Sequence, residues 1–263
     1  MIEAKQLTKN IHGNSILSGV THSFQAGCFY GIIGPNGVGK STLLQLLSGA
    51  SKPTSGDVLL AGKPLDSYGA KQLARKLAVL QQGGLPPAAF TVREVVGMGR
   101  YPYQNWFGDE KNDPADLIDR ALEAMGLTAL QHRQLERLSG GERQRAALAK
   151  VMVQEAELIM LDEPTTYLDI GYQIHLLDTV QAWQRERELT VIVVLHDLNL
   201  AALYCDQLLV LHEGGIAASG PPREVLNESL IRSVYGAGAT IVAHPATGVP
   251  QILLQPGGAA PLR

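Results

Sequence analysis

The residues best suited to chemistry lie in the stretch GPNGVGKST, in which Gly34, Gly39, Lys40 and Ser41 match the pattern G-x-x-x-x-G-K-[ST]. Glycines let backbone N–H groups close around phosphate oxygens, and the N-terminus of the following helix adds positive potential. Lys40 supplies a charge, and the Ser41 hydroxyl is a ligand for Mg²⁺. The stretch therefore predicts a site for the β- and γ-phosphates of a nucleotide. This predicted phosphate loop consists of Gly34, Pro35, Asn36, Gly37, Val38, Gly39, Lys40, Ser41 and Thr42.

Two carboxylates end the apolar run LIMLDE, which is typical of a buried strand. A carboxylate in such a place is costly unless it meets a cation or hydrogen-bond donors, so we expect Asp162 to bind Mg²⁺ directly or through water. Glu163 follows as the chain leaves the strand, and we expect it to act as the general base that polarises an attacking water. Alternatively, Glu163 only favours the N-terminus of the helix ahead.

His196 follows the predicted strand TVIVVL, and Gln82 ends the predicted strand LAVLQQ. The carboxyl ends of parallel strands meet at one edge of a sheet, which is where Gly34 and Asp162 are expected too. We therefore predict that His196 senses the γ-phosphate and that Asp197 caps the next helix, although a lone histidine is often structural. Gln82 is predicted to bind Mg²⁺ or the attacking water, the alternative being a solvated loop glutamine.

The elements that position these residues change character along the chain. Residues 1–82 alternate short apolar runs with turn signals, and residues 83–155 have helical spacing punctuated by prolines. Strand patterns resume in residues 156–263 with ELIMLDEP and LTVIVVLHD, whose apolar character is typical of buried parallel strands. A hairpin over DQLLVLHEGG and IAASG follows, and the tail from Pro221 is expected to hold one or two short helices before a weakly patterned end. These patterns predict an α/β core interrupted by a helical insert.

Composition excludes several classes of protein. The 263 residues are 45% hydrophobic and 18% charged, with a net charge of -3, which gives no reason to expect nucleic acid as a partner. Cys28 and Cys205 are expected to be ordinary buried thiols, since disulfide frameworks and thiolate metal sites need more cysteines. Neither a signal peptide nor a membrane span is predicted, so a cytoplasmic protein is expected. Each motif occurs once, without an internal repeat.

The motifs GPNGVGKST, Gln82, LSGGERQ, LIMLDE, YLD and LHD, in this order, resemble those of ATP-binding subunits of ABC transporters. The resemblance implies the P-loop NTPase ABC ATPase fold, with a mostly parallel core sheet, an antiparallel β part and a helical signature subdomain at residues 83–155. It implies a head-to-tail homodimer with two ATP molecules, in which each signature caps the ATP of the other subunit and Asp169 couples the two sites. The signature residues are Ser139, Gly140, Gly141 and Glu142.

The same resemblance implies a membrane partner. The helical insert and Gln82 are expected to form a groove for a multispanning permease, which places the subunit peripherally on the cytoplasmic face of a bacterial inner membrane. TVREVVGMGRYPY and LDEPTTYLDI are similar to stretches in subunits for iron–siderophore, haem and cobalamin uptake, which involve a substrate-binding protein indirectly. Arg100, Tyr101 and Tyr103 either contact the permease or hold the insert together, and both interpretations are open at this point.

One position departs from the pattern of the family. Ile11 occupies the place where an aromatic residue usually stacks on adenine, so apolar contact replaces stacking unless His12 turns in. We expect base selectivity to be loose, with GTP competing better than in relatives. The function predicted is an ATPase subunit of a metal-chelate importer. The alternative is a soluble ABC ATPase that acts as a nucleotide-gated clamp on nucleic acid or ribosomes, although the insertions usual in such proteins are missing.

Overall fold

The computed structural model describes residues 1–105 and 107–256. Two compact units are formed by the described residues of Met1–Leu65 with Ile192–Arg263 and by those of Asp66–Val191. Within the described residues, no helix combines the length and the apolar character needed to cross a membrane.

The strands are named in chain order. They are β1 (Ile2–Ile11), β2 (Asn14–Phe24), β3 (Phe29–Ile33), β4 (Ser55–Leu60), β5 (Lys63–Pro64), β6 (Leu77–Leu80), β7 (Leu158–Asp162), β8 (Thr190–Val194), β9 (Gln207–His212), β10 (Gly215–Gly220), β11 (Ala239–Ala243) and β12 (Pro250–Leu254).

The α-helices are named in the same way. They are α1 (Lys40–Leu47), α2 (Ala70–Lys76), α3 (Val92–Gly97), α4 (Ala115–Ala124), α5 (Gly140–Val153), α6 (Ile170–Arg187), α7 (Leu198–Tyr204), α8 (Pro222–Val225) and α9 (Glu228–Tyr235).

The first unit contains the predicted phosphate loop and two kinds of sheet. An antiparallel sheet has the strand order β2-β1-β4-β5, and a second sheet places β3 beside β9, with which it is parallel. All five residues of β3 are buried, as expected for a central parallel strand covered on both faces. β10 pairs antiparallel with β9, which confirms the predicted hairpin. The strand that feeds the phosphate loop is thus held in a rigid, buried position.

The second unit contains the other predicted site residues. β6 and β7 pair in parallel from Leu77 and Leu158 onward, and all five residues of β7 are buried. The amide of Thr190, at the start of β8, donates to the carbonyl of Glu157 at 3.1 Å. The helices α3, α4 and α5 lie entirely within residues 83–155, so the helical character predicted for this segment is confirmed. The division into a core and an insert stays a prediction.

The tail from Pro221 holds the short helices α8 and α9, as expected. One further feature was not predicted and one expectation was wrong. The feature that was not predicted is the antiparallel hairpin of β11 and β12, in which Ala239 pairs with Leu254. The hairpin is joined to α7 because the Ile252 amide donates to Asn199 Oδ1 at 2.7 Å, a contact 53 residues apart that local patterning does not reveal. Cys28 is only half-buried, whereas Cys205 is buried as expected. Burial raises the pKa of both thiols.

Candidate nucleotide-binding and hydrolysis site

The phosphate loop is shaped by two glycines that no larger residue can replace. Gly34 has φ +148°, and a Cβ there would lie 2.3 Å from the carbonyl oxygen of Leu211. Gly39 has φ +104° and precedes α1, and its Cβ would lie 2.9 Å from a methyl group of Leu17. A side chain at either position would force the loop off β9 or β2. The backbone of the loop therefore packs closely against β9 at Gly34 and against β2 at Gly39.

Lys40 is the first residue of α1, and its side chain is directed back over the loop. Its Nζ donates to the carbonyl oxygens of Gly34 and Pro35, both at 2.9 Å, and the residue is only 5% exposed. A buried ammonium surrounded by backbone dipoles is a strong point charge for an anionic ligand. Ser41 and Thr42 follow on the first turn and are half-buried, whereas Asn36 and Gly37 at the tip of the loop are exposed.

His196 lies in the same unit as the loop. It is exposed and follows Leu195, whose amide donates to the Ile32 carbonyl at 3.3 Å, so the end of β8 is adjacent to the strand that feeds the loop. Asp197 accepts hydrogen bonds from two backbone amides in the first turn of α7, which confirms the predicted cap. Ile11 ends β1 opposite Asn14 and is 40% exposed, so its side chain is available for contact with a base.

Gln82 and Glu163 are brought together in the second unit. Gln82 Nε2 donates to Glu163 Oε2 at 2.8 Å, and the Thr166 hydroxyl faces the same oxygen at 3.4 Å. Glu163 has φ +51°, a left-handed conformation that is uncommon outside glycine and that turns the chain sharply after β7. Asp162 ends β7 and is 4% exposed. Two candidate catalytic side chains are therefore hydrogen-bonded to each other beside a buried carboxylate.

The signature residues begin α5, as the family resemblance implies. Ser139 is the N-cap: its hydroxyl accepts from the Glu142 amide at 3.3 Å, and its own amide donates to the Glu142 carboxylate at 2.7 Å. The hydrogen bond from the Ser139 backbone is the main reason why the pKa of Glu142 is lowered. This reciprocal bonding fixes the first turn. Ser139 and Gly140 remain exposed, and Gly141 is half-buried.

Asp169 lies close to the signature glycines in the chain's own second unit. It caps α6 by accepting from the Tyr172 amide at 3.0 Å. A Cβ on Gly141 would lie 3.1 Å from a side-chain methyl of Leu168, the residue before Asp169, so a larger residue would require that side chain to shift by a few tenths of an ångström. Tyr167 in the same turn is 76% exposed. The turn that ends at Asp169 therefore packs against the signature and presents an aromatic ring outward.

The residues Arg100, Tyr101 and Tyr103 do not behave as one group. The Arg100 side chain is 7% exposed, forms ion pairs with Glu110 and Glu155, and stacks 4.0 Å from the centre of the Tyr103 ring. Tyr101 is 63% exposed. Arg100 and Tyr103 thus hold the helical segment together, whereas Tyr101 is accessible to a partner.

The predicted site residues divide between the two units. The first unit holds the phosphate loop, Ile11 and His196, and the second holds Gln82, the signature, Asp162, Glu163 and Asp169. One residue was missed: Gln144 is 2% exposed and donates to the Pro164 carbonyl at 3.1 Å, immediately after Glu163. Its neighbours in the sequence are Arg143 and Arg145, so the local pattern gave no signal of its burial.

The side chains proposed to bind Mg²⁺ offer oxygen only. They supply the hydroxyl of Ser41, the carboxylate of Asp162 and the amide oxygen of Gln82, which are the hard donors that Mg²⁺ prefers. No cluster of three His, Cys, Asp or Glu residues able to hold a metal ion exists in the described part of the chain. This donor set fits an ion that completes its coordination with phosphate and water rather than one held in a protein cage.

Comparison with known proteins gives consistent results. The family model described as ABC transporter matches residues 17–166. The chain is 40% identical to the ferric enterobactin transport ATP-binding protein FepC of Escherichia coli, over 96% of this chain and 93% of that protein. It is also 40% identical to the petrobactin import ATP-binding protein FpuD of Bacillus anthracis, over 95% of this chain and 91% of that protein.

A solved structure shares the fold. An ABC transporter of the metal-chelate type in an inward-facing conformation matches with a TM-score of 0.81 and 24% identity, over 97% of this chain and 96% of the matched chain. The motifs, the fold and these relatives agree, and the chain therefore belongs to the ABC transporter family, whose ATP-binding subunits hydrolyse ATP to power transport.

Proposed function

We propose that this protein is the ATP-hydrolysing subunit of a bacterial importer that moves a metal chelate, namely a ferric siderophore, haem or cobalamin. The observation that supports this most strongly is 40% identity to a ferric enterobactin transport subunit across 96% of the chain. The buried Lys40 within a glycine loop supports nucleotide binding independently of that similarity.

In this proposal the phosphate loop from Gly34 to Thr42 binds the β- and γ-phosphates. Ser41, Asp162 and Gln82 would hold Mg²⁺, which would supply neutralisation of the phosphate charge. Glu163 accepts the proton of that water, and its hydrogen bond with Gln82 fixes the orientation of the carboxylate. His196 contacts the γ-phosphate and distinguishes ATP from ADP.

The signature completes the site of a second copy of the chain. Ser139 and Gly140 are exposed at a helix N-terminus and Gly141 follows them, which suits the γ-phosphate of an ATP held by the partner subunit. Glu142 supports this turn through the capping box, and Asp169, beside the signature, couples the two sites. The proposed homodimer carries two ATP molecules and works in a head-to-tail arrangement.

The subunit is proposed to lie on the cytoplasmic face of the inner membrane, bound to a permease that receives cargo from a substrate-binding protein. Residues 83–155 form the docking subdomain, and residues 1–82 with 156–263 form the ATPase core. Ile11 contacts the base without stacking, so ATP is bound with modest selectivity over GTP.

Purification of the tagged chain from detergent-solubilised membranes tests the assignment. We expect a multispanning permease to co-purify in a stable complex with two copies of this chain. Recovery of ribosomes or nucleic acid in its place, with the chain absent from membranes, would favour the clamp function.

A further inference from the structure

Gln144 lies one turn into α5 from the signature, and its amide is removed from solvent. The residue is 2% exposed, and its Nε2 donates to the carbonyl oxygen of Pro164 at 3.1 Å. Pro164 directly follows Glu163, so this hydrogen bond holds the backbone on which the proposed general base is mounted. A buried carbonyl that lost this donor would be left unsatisfied, which is unfavourable.

The other side of the same amide contacts the segment that follows Gln82. A Cβ built on Gly84 would lie 2.6 Å from Gln144 Oε1 and 3.4 Å from Gln144 Cα. Gly84 also has φ +66°, so both its conformation and the space around it require glycine. The loop after Gln82 therefore rests directly on Gln144.

These contacts close a ring within the second unit. Gln144 contacts both the Gln82 loop, at Gly84, and the Glu163 loop, at Pro164, and Gln82 in turn donates to Glu163 at 2.8 Å. One side chain of the signature helix thus contacts the backbone of both loops whose side chains meet in the proposed site. The position of the Gln82 loop relative to the Glu163 loop therefore depends on the position of the Gln144 side-chain amide.

We propose that Gln144 is a positioning residue for hydrolysis, which sets Glu163 and Gln82 relative to each other and ties both to the helix that begins with the signature. The proposal rests on the proposed function, in which Glu163 polarises the attacking water. The buried Gln144 amide lies outside the phosphate loop. Its loss should therefore impair the chemical step while leaving nucleotide binding, which depends on the phosphate loop, intact.

The test is the substitution Gln144→Met, which keeps the length of the side chain and removes the donor. We expect kcat for ATP hydrolysis to fall about 10- to 100-fold, since misplacement of a catalytic group by about 1 Å can cost about 100-fold. KM for ATP and the Kd of a fluorescent ATP analogue should stay within about twofold of wild type. The substitution removes no contact that contributes equally to binding of the ground state and of the transition state.

Gln154→Met is the matched control on the same helix. Gln154 caps the C-terminus of α5, and its Nε2 also donates to backbone carbonyls, those of Ala74 at 2.7 Å and Leu77 at 3.0 Å. It lies ten residues from Gln144, about 15 Å along a helix. This variant should lose thermal stability to a similar degree and retain kcat within about twofold.

A second variant keeps the proposal testable if Gln144→Met fails to fold. Gly84→Ala, at a half-buried loop position, pushes against the same amide and should give the same selective loss of kcat. Unchanged kcat in Gln144→Met or Gly84→Ala, a KM that rises in step with the loss of kcat, or an equal loss in Gln154→Met would overturn the proposal. The proposed function itself fails separately, because the wild-type chain would then show no ATP hydrolysis in the same assay.

Discussion

Replacement of Arg100 by methionine tests whether the interior of the helical segment depends on one buried cation. Arg100 Nη1 donates to the Val153 carbonyl at 2.8 Å and to Glu155 at 2.7 Å, while Nε donates to Glu110 at 3.1 Å. The carboxylate of Glu110 is itself only 12% exposed. Removing the guanidinium therefore takes the ion-pair partner from the largely buried Glu110 and one of two arginine partners from Glu155, which keeps Arg187.

The expected loss in the free energy of unfolding follows from the burial of this ion pair. Breaking a buried ion pair by removing one partner typically costs about 3–5 kcal/mol in the free energy of unfolding. For a chain of this size about 1 kcal/mol corresponds to about 2–4 °C in Tm, so the Tm of Arg100→Met should fall by about 6–20 °C. Tyr101→Ala is the neighbouring control: its side chain is 63% exposed, and its Tm should change by less than about 2 °C.

Thermal unfolding followed by circular dichroism measures both variants, and pH gives a second check. Burial acts to raise the pKa of Glu155, but hydrogen bonds from Arg187 and Arg100 outweigh it, so the pKa is lowered overall. The corresponding stability is present above the unfolded-state pKa and is lost as the pH falls through the lower folded-state pKa. The Tm difference between wild type and Arg100→Met should narrow over that range. A Tm within 2 °C of wild type at neutral pH would refute the reasoning.

Three further predictions concern the site itself. Glu163→Gln should lower kcat by at least about 100-fold while retaining ATP affinity and favouring a stable dimer, measured by steady-state kinetics and light scattering; near-normal turnover would remove Glu163 from the mechanism. A mixed dimer of Lys40→Ala and Ser139→Ala subunits should retain one intact composite site and about half of the wild-type activity, whereas two working sites or none would contradict signature action between subunits. Ile11→Tyr should raise the preference for ATP over GTP in competition binding about two- to tenfold through added stacking on the base. An unchanged ratio of ATP to GTP affinity would show that position 11 does not contact the base.

Local features of the site could be predicted from the sequence because they depend on neighbouring residues. The phosphate loop needs glycines at fixed spacing before a helix, and Gly34 and Gly39 adopt conformations that suit this need. The cap predicted at Asp197 likewise depends on amides two and three residues ahead, and it is present.

Contacts between segments that are far apart in the sequence could not be predicted from local sequence patterns. Gln144 meets Gly84 and Pro164, which are 60 and 20 residues away, and nothing in the pattern of α5 indicates which loops its amide will contact. The C-terminal hairpin was missed because its six-residue connection lacks the short Asn-Gly or Asp-Gly turn that signals a hairpin. Arg100 and Tyr101 are adjacent in sequence, and only the packing of α3 and α5 decides that one is buried and the other is exposed.

The central claim is that this chain converts ATP hydrolysis into import of a metal chelate. Its most direct test is the ATPase rate of the chain reconstituted with its permease in proteoliposomes, measured with the substrate-binding protein empty or loaded with each candidate chelate. We expect that one loaded binding protein raises the rate several-fold and drives ATP-dependent accumulation of its chelate, and that Glu163→Gln abolishes both. An ATPase rate that does not respond to the permease or to any loaded binding protein, yet is stimulated by nucleic acid or ribosomes, would show that the chain is not an importer subunit.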